Sequence, residues 1–529
     1  MKRFSSLPFI VGCGLIQSHS AFAQVNNPTI AILPPAPTVS AVPAPVFSGE
    51  FNVRAFGAIG DGKTLDSPAI NRAIEAAAAA GGGTVRLPTG TYLSLSLRLK
   101  SNIRLHLDQG AVLLAARRTE EWRYDAAEES PSTKFQDFGH SHWQNSLIWG
   151  DGLQNVTIDG AGEIYGQGLE RHDKPRVEGE GNKAISLKFC RNVNISDITI
   201  RHGGWFGILA TGVDNLTIDN LKIDTDRDGM DIDCCRNVRI SNCSVNSPGD
   251  DGICLKSSYG LNEARATENV TISNCFVSGY NEGTMLDGTY KWNGRSSPTG
   301  RIKFGTESNG GFKNITVSNC VFDKCRGLAL ETVDGGLLED VSINNITMRD
   351  ITNAPIFLRL GRRMRGPEGT SVGELRRINI SNVVIYNADS ASSVLIMGVP
   401  GHAIEDVALS NIQIWFKGGG TKEQAAIVPP ERENDYPEPD RFGRMPSYGF
   451  FMRHVKGITL ENIRLHTLKN DERPPFVLDD VDGAEFYRVK AEHKEGRPLF
   501  AIKNSSNLTM RMVDGVEDKQ QKALFQGNF

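Results

Sequence analysis

Three aspartates open or adjoin repeated segments of the chain, and their types and spacing suit acid–base work on an acetal. Asp228 begins DGMDID, Asp251 begins DGICLK, and Asp250 directly precedes Asp251. Aligned with FGILAT at 206–211, EGTMLD at 282–287 and RGLALE at 326–331, these segments share Gly at the second place. Stacked at the ~4.8 Å spacing of paired strands, Asp228, Asp251 and Glu282 form a ladder of acids on one face, with Asp250 at its edge. Carboxylates that close raise one another's pKa, which separates a protonated acid from an ionised base. Cleavage of a glycosidic bond uses that division. An isolated Asp-Gly pair is usually a turn, and clustered oxygens also suit calcium. Recurrence in register favours catalysis, and neither a metal nor a cofactor is expected.

The elements that must carry this ladder announce themselves as repeats. An Asn or Asp followed by apolar/polar alternation recurs as NVTIDG at Asn155, NVNISD at Asn192, NLTIDN at Asn215, NVRISN at Asn237, NVTISN at Asn269 and NITVSN at Asn314. Looser copies follow at Asp340, Asp406, Gly457 and Asn507. The step from Asn192 to Asn215 is 23 residues and the next is 22, the length of one solenoid coil. Leucine-rich repeats share this period, but their Leu-x-x-Leu-x-Leu frame and helical stretches are missing. The expected fold class is all-β, a right-handed parallel β-helix, with the recurring Asn forming a ladder at a tight turn. Residues 67–80 read as one amphipathic helix that caps the first coil, whose open strand edges would otherwise template aggregation. Cys243, Cys275 and Cys320 follow the same Ser-Asn pair in successive repeats, which predicts a stack of buried thiols rather than disulfides or metal ligands.

Residues 1–23 read as a signal peptide: Lys2 and Arg3, an apolar run at 7–16, and a small-x-small site at Ala21-Phe22-Ala23. A Pro/Ala-rich linker at 24–50 and a single β-helix domain at 51–529 are expected to follow. Export to the periplasm or the exterior follows from the leader. Net charge is −4, with acids and bases nearly balanced, so neither nucleic acid nor a membrane surface is an expected partner. A monomer is expected.

These residues resemble glycoside hydrolase family 28, the polygalacturonase family. NVRAFGAIGDGKTLDSPAINRAI and GGGTVRLPTGTYL look like its opening segment, shared with related β-helix proteins; TDRDGMDID and GDDGICLKS look like its Asn-Thr-Asp-Gly and Asp-Asp segments. The resemblance implies hydrolysis of a plant cell-wall type polysaccharide by single displacement with inversion. It makes Asp250 the general acid and gives Asp228 and Asp251 the activation of water. Two family motifs depart. Where the family has Gly-His-Gly, the alignment puts Glu282. Where it has Arg-Ile-Lys gripping a sugar carboxylate, the alignment puts Ala329-Leu330-Glu331. A literal Arg301-Ile302-Lys303 follows an inserted stretch at 290–298, and it is either a sugar-binding pair or a solvated face.

Substrate-binding residues expected from this reading are Glu282, Arg301, Lys303, Glu331 and Lys256. Glu331 at a cation's place would repel a uronate and accept bonds from sugar hydroxyls, while Glu282 would raise the pKa of Asp250. Alternatively, both salt-bridge to Arg301, Lys303 or Arg326. Tyr280, Tyr290 and Trp292 either stack on sugar or pack on the helix. Arg359, Arg362, Arg363 and Arg365 form either a solvated turn or an acidic-substrate site. The excursion at 418–446, containing YPEP, is expected to wall off a cleft and favour exo action. A lyase or epimerase on the same fold, or a non-catalytic carbohydrate-binding β-helix, are the competing readings.

Overall fold

The computed structural model describes residues 49–529. The signal peptide expected at 1–23 and nearly all of the linker expected at 24–50 lie outside the described residues. The first strand, Glu50–Asn52, already pairs in parallel with Gly83–Leu87, so the solenoid begins at the end of the expected linker.

Each early coil is three short strands joined by turns. Phe206–Thr211, Asp214–Asp219 and Lys222–Asp224 make one coil; Asp228–Asp233, Arg236–Ser241 and Ser244–Asn246 make the next, each strand pairing in parallel with its predecessor. The result is a right-handed parallel β-helix. From Phe312–Asp323 to Ile404–Phe416 the second and third strands of a coil run together as one long strand. Alternation in sequence becomes alternation in space: Val193, Leu216, Val238, Val270 and Ile315 stack in register inside the coil, where burying each removes apolar surface worth ~1.5–3 kcal/mol from water.

The recurring Asn does what its spacing predicted. Asn192, Asn215, Asn237 and Asn269 all take φ between 55° and 59°, the left-handed region that Asn tolerates better than most residues. Their side-chain amides donate up the stack, Asn215 to Asn192 at 3.0 Å, Asn237 to Asn215 at 3.2 Å and Asn269 to Asn237 at 3.1 Å. A second ladder through Asn242, Asn274, Asn319 and Asn345 runs along the next turn. Cys243, Cys275 and Cys320 are buried free thiols aligned by the strands that follow them.

The capping helix spans Ser67–Ala79 and turns Ile70, Ala73, Ile74 and Ala77 onto the first coil. At the far end Lys519–Gln521 and Phe525–Asn528 pair antiparallel with Phe500–Arg511 and cover the last long strand.

One column of strands departs from the alternation. Phe206–Thr211, Asp228–Asp233, Ile253–Ser257, Ile302–Ser308, Leu328–Thr332 and Ile356–Leu360 are buried at every position. Their outward side chains are covered by excursions. Trp143 closes over Phe206 and Leu209, and its indole nitrogen donates to Thr211 Oγ1 at 3.0 Å. Phe442 and Met445, from the long excursion, close over Ala329, Phe357, Leu395 and Phe451. The coils of Asp228 and Asp251 fall between these two covers.

Candidate active site

Asp228 and Asp251 are brought into the predicted ladder by register: Met230 pairs with Ile253, which sets Asp228 beside Asp251 one coil on. The glycine column behind them makes this stacking close. A Cβ added at Gly207 or Gly229 would meet the next coil's carbonyl oxygen at 2.5 or 2.4 Å, whereas at Gly252 the nearest backbone oxygen is 3.2 Å away. One carboxylate oxygen from each of Asp228, Asp250 and Asp251 lies within 4.8 Å of the other two.

The coil after Asp251 corrects the sequence alignment. Ile253 pairs with Ile302 and Cys254 with Lys303, so Arg301-Ile302-Lys303 is the next rung, and Arg301 stands in the glycine column. Gly252 has the slack to accept it. Glu282 is not in the ladder. It belongs to a turn-rich excursion that Asp224 anchors by accepting the backbone N–H of Gly283, Met285 and Leu286 at 2.8–3.1 Å. Its carboxylate pairs with Arg171 at 2.5 Å and His202 at 2.7 Å, leaving no contact through which to hold a proton on Asp250. In the same excursion Tyr280 packs against the helix, its hydroxyl donating to Asp323 at 2.7 Å, while Tyr290 and Trp292 remain about half exposed, at 47% and 48%.

Arg301 and Lys303 are both 1% exposed. Arg301 Nε donates to Asp251 Oδ1 at 2.8 Å, and Lys303 Nζ lies 3.3 Å from Asp251 Oδ2. Glu331, wholly buried, backs the pair, 3.6 Å from Lys303 Nζ and 4.0 Å from Arg301. The expectation that Glu331 touches a sugar is therefore corrected: it lies buried behind Arg301 and Lys303, as the alternative of a contact with those cations had it. Lys256 is likewise turned inward, its Nζ 2.9 Å from Glu307 and 3.7 Å from Asp231.

The electrostatics divide the three aspartates. Burial pushes Asp228 well above the usual carboxylate range, reinforced by Asp231 and Asp250. Asp250 is raised as well, by burial and by Asp251, with Arg227 opposing. Burial alone would raise Asp251 too, but Lys303, Arg301 and Lys256 overcome it and hold the group far below that range. Asp251 is thus the anion of the cluster, while Asp228 and Asp250 are both raised, Asp228 the further of the two. Of the three side chains, Asp250 has the most solvent access, 27% against 3% for Asp251.

A family model described as rhamnogalacturonase A/epimerase, pectate lyase-like matches residues 50–331. The chain belongs to that family. A probable polygalacturonase of Vitis vinifera is 25% identical over 392 residues, covering 69% of this chain and 74% of the relative. An exopolygalacturonase structure from Thermotoga maritima superposes with a TM-score of 0.60 at 20% identity, over 79% of this chain and 92% of that one. The family 28 exopolygalacturonase of Yersinia enterocolitica gives 0.61 at 19% identity, over 88% and 79%. Within the family the chain is a glycoside hydrolase of the polygalacturonase-like type.

Several site residues of this hydrolase were not singled out from sequence. Arg227 pairs with Asp250 and lies 3.8 Å over the Trp205 ring, and its place beside Asp228 in TDRDGMDID was the available signal. Tyr436 and Glu438 arrive from the long excursion. The hydroxyl of Tyr436 is 3.2 Å from Lys303 Nζ, and Glu438 pairs with Arg301 at 2.5 Å and Arg326 at 2.9 Å. Three arginines of the cluster are engaged within the chain, while Arg362 is about half exposed, 3.3 Å from Glu433. Arg359 donates to the carbonyls of Gly398, Glu431 and Arg432, Arg363 pairs with Asp334, and Arg365 with Asp137, so the group staples excursions to the helix.

Proposed function

We propose that the protein hydrolyses glycosidic bonds of a pectic polysaccharide or its oligosaccharides, at Asp228, Asp250 and Asp251. The observation that carries this reading is the convergence of three carboxylates within 4.8 Å, with Asp251 paired to the buried cations Arg301 and Lys303. Asp250, the most accessible, donates its proton to the leaving oxygen. Asp228, the stronger base of the other two once ionised because burial raises it, takes the proton of the attacking water, which Asp251 helps to orient.

The nearest oxygens of the cluster are closer than the about 6.5–9.5 Å that usually separates acid and base in inverting enzymes. Distance alone would suggest a covalent intermediate. Asp251 is poorly placed for nucleophilic attack, however, because each of its oxygens is held by a buried cation. Attack by water, and hence inversion, is the reading this pairing supports.

The same pairing weighs against a lyase. Abstraction of a sugar proton by Arg301 or Lys303 would require a free base; burial pulls that way, but Asp251 and Glu331, joined at Arg301 by Glu438, outweigh it and keep both charged. Exo action is supported by the excursions over the column on either side of the acids. Export, proposed from the N-terminal residues, fits a polymeric substrate; no helix among the described residues is long and apolar enough to cross a membrane.

The test is a panel of pectic oligosaccharides with chromatographic product analysis. Single sugars released from one end support exo hydrolysis, mixed internal fragments overturn the exo mode, and unsaturated products overturn hydrolysis.

A further inference from the structure

Three cations gather around Glu438: Arg301 and Lys303, which also pair with Asp251, and Arg326. Two acids of the helix, Asp251 and Glu331, lie among them. The remaining charge is met from far along the chain. Glu438 places Oε1 2.5 Å from Arg301 and 4.0 Å from Lys303, and Oε2 2.9 Å from Arg326, with 13% of its side chain exposed. These cations offer the geometry that binds a carboxylate, and a carboxylate of the protein is already there.

Its position is built rather than incidental. Pro437 and Pro439 flank Glu438 and restrict the backbone on both sides. The turn Pro439–Phe442 is anchored by Phe442, 2% exposed, against Phe357. The root of the excursion is held by two buried arginines: Arg453 donates to the carbonyls of Pro429 and Pro430 at 2.8 and 3.0 Å, and Arg359 to those of Glu431 and Arg432. These contacts hold the chain on both sides of Glu438.

We infer that Glu438 is a specificity-determining residue, filling from within the chain the cationic position beside Asp251, so that the sugar bound there carries no carboxylate. Resting on the proposed pectic glycosidase activity, this names the substrate class: a linkage with a neutral or deoxy sugar at that place. Glu438 accepts hydrogen bonds from its hydroxyls, and Tyr436, 43% exposed, offers an aromatic ring beside it.

The test titrates free galacturonate, and its uncharged methyl ester, into the full-length wild type and Glu438→Gln, following binding by ligand-observed NMR. Glu438→Gln should bind galacturonate at least tenfold more tightly than wild type, with no gain for the ester. In parallel, kcat/KM should shift at least tenfold from neutral-ended towards galacturonate-ended oligosaccharides. Should Glu438→Gln fold poorly, Glu438→Ser carries the same comparison. Equal galacturonate binding by wild type and variant, or an equal gain for the ester, overturns the inference. If wild type cleaves no pectic oligosaccharide, the functional reading falls while the binding comparison still decides the role of Glu438.

Discussion

Arg301 and Asp251 meet one coil apart, Nε to Oδ1 at 2.8 Å, with only 1% and 3% of their side chains exposed. A buried carboxylate survives as an anion only when so paired, and here the pairing keeps Asp251 ionised wherever the enzyme would work. Arg301→Lys keeps the charge but cannot reach both Asp251 and Glu438. Asp251 is depressed in the folded state, so its ionised form is lost only as pH falls through that low value. Weakening the pair moves the loss upward. The pH at which Asp251 itself gains a proton, followed by carboxylate NMR titration, should therefore rise in Arg301→Lys, and an unchanged titration would contradict the pairing.

Glu331 makes a prediction of the opposite sign. Burial lifts its carboxyl from 4.5 to about 7, against the pull of Lys303 and Arg301. A carboxyl raised on folding contributes stability that is complete below the unfolded value and is lost as pH climbs through the folded one. Wild type should thus lose Tm relative to Glu331→Gln between pH 4.5 and about 7, with the difference level above that. Because Glu331 faces inward, preference between neutral-ended and galacturonate-ended substrates should not change. A pH-independent Tm difference would mean that Glu331 is already ionised throughout.

The Asn ladder is testable by stability alone. Asn237 donates to Asn215, accepts from Asn269 and holds φ at 56°. Asn237→Ala removes two side-chain hydrogen bonds and leaves the left-handed conformation to a residue that tolerates it less well than Asn, at a cost of about 1–3 kcal/mol. Denaturant unfolding should show this as a lower midpoint, and Asn237→Gly should recover part of the loss. Equal loss in both would assign the effect to the side-chain bonds rather than to the backbone.

What could be read from sequence followed the regularity of the coil. The step from Asp228 to Asp251 is close to one ordinary repeat, so the carboxylates and their strands were legible. The next step was not. The excursion after Ser278 contains its own acid-Gly pair, Glu282-Gly283, which imitates the column, yet Gly283 sits in a turn with φ 86°. The true rung carries Arg301 where its neighbours carry Gly, so a search for Gly at that place passes over it. Glu331 was placed in the right strand, but burial on both faces of that strand depends on excursions whose docking no period encodes. Glu438 lies 137 residues from Arg301, and only the fold joins them.

The central claim is that Asp228, Asp250 and Asp251 act as one hydrolytic unit. The most direct measurement follows a pectic oligosaccharide by time-resolved proton NMR with wild type, Asp228→Asn, Asp250→Asn and Asp251→Asn, the fold of each checked by circular dichroism. The account predicts a first-formed product of inverted anomeric configuration with no new double bond. It also predicts a rate loss of about 10²–10⁴-fold or more in each folded variant, since Asn neither gives nor takes the proton. Retained configuration, an unsaturated product, or a folded variant with most of its activity would contradict it.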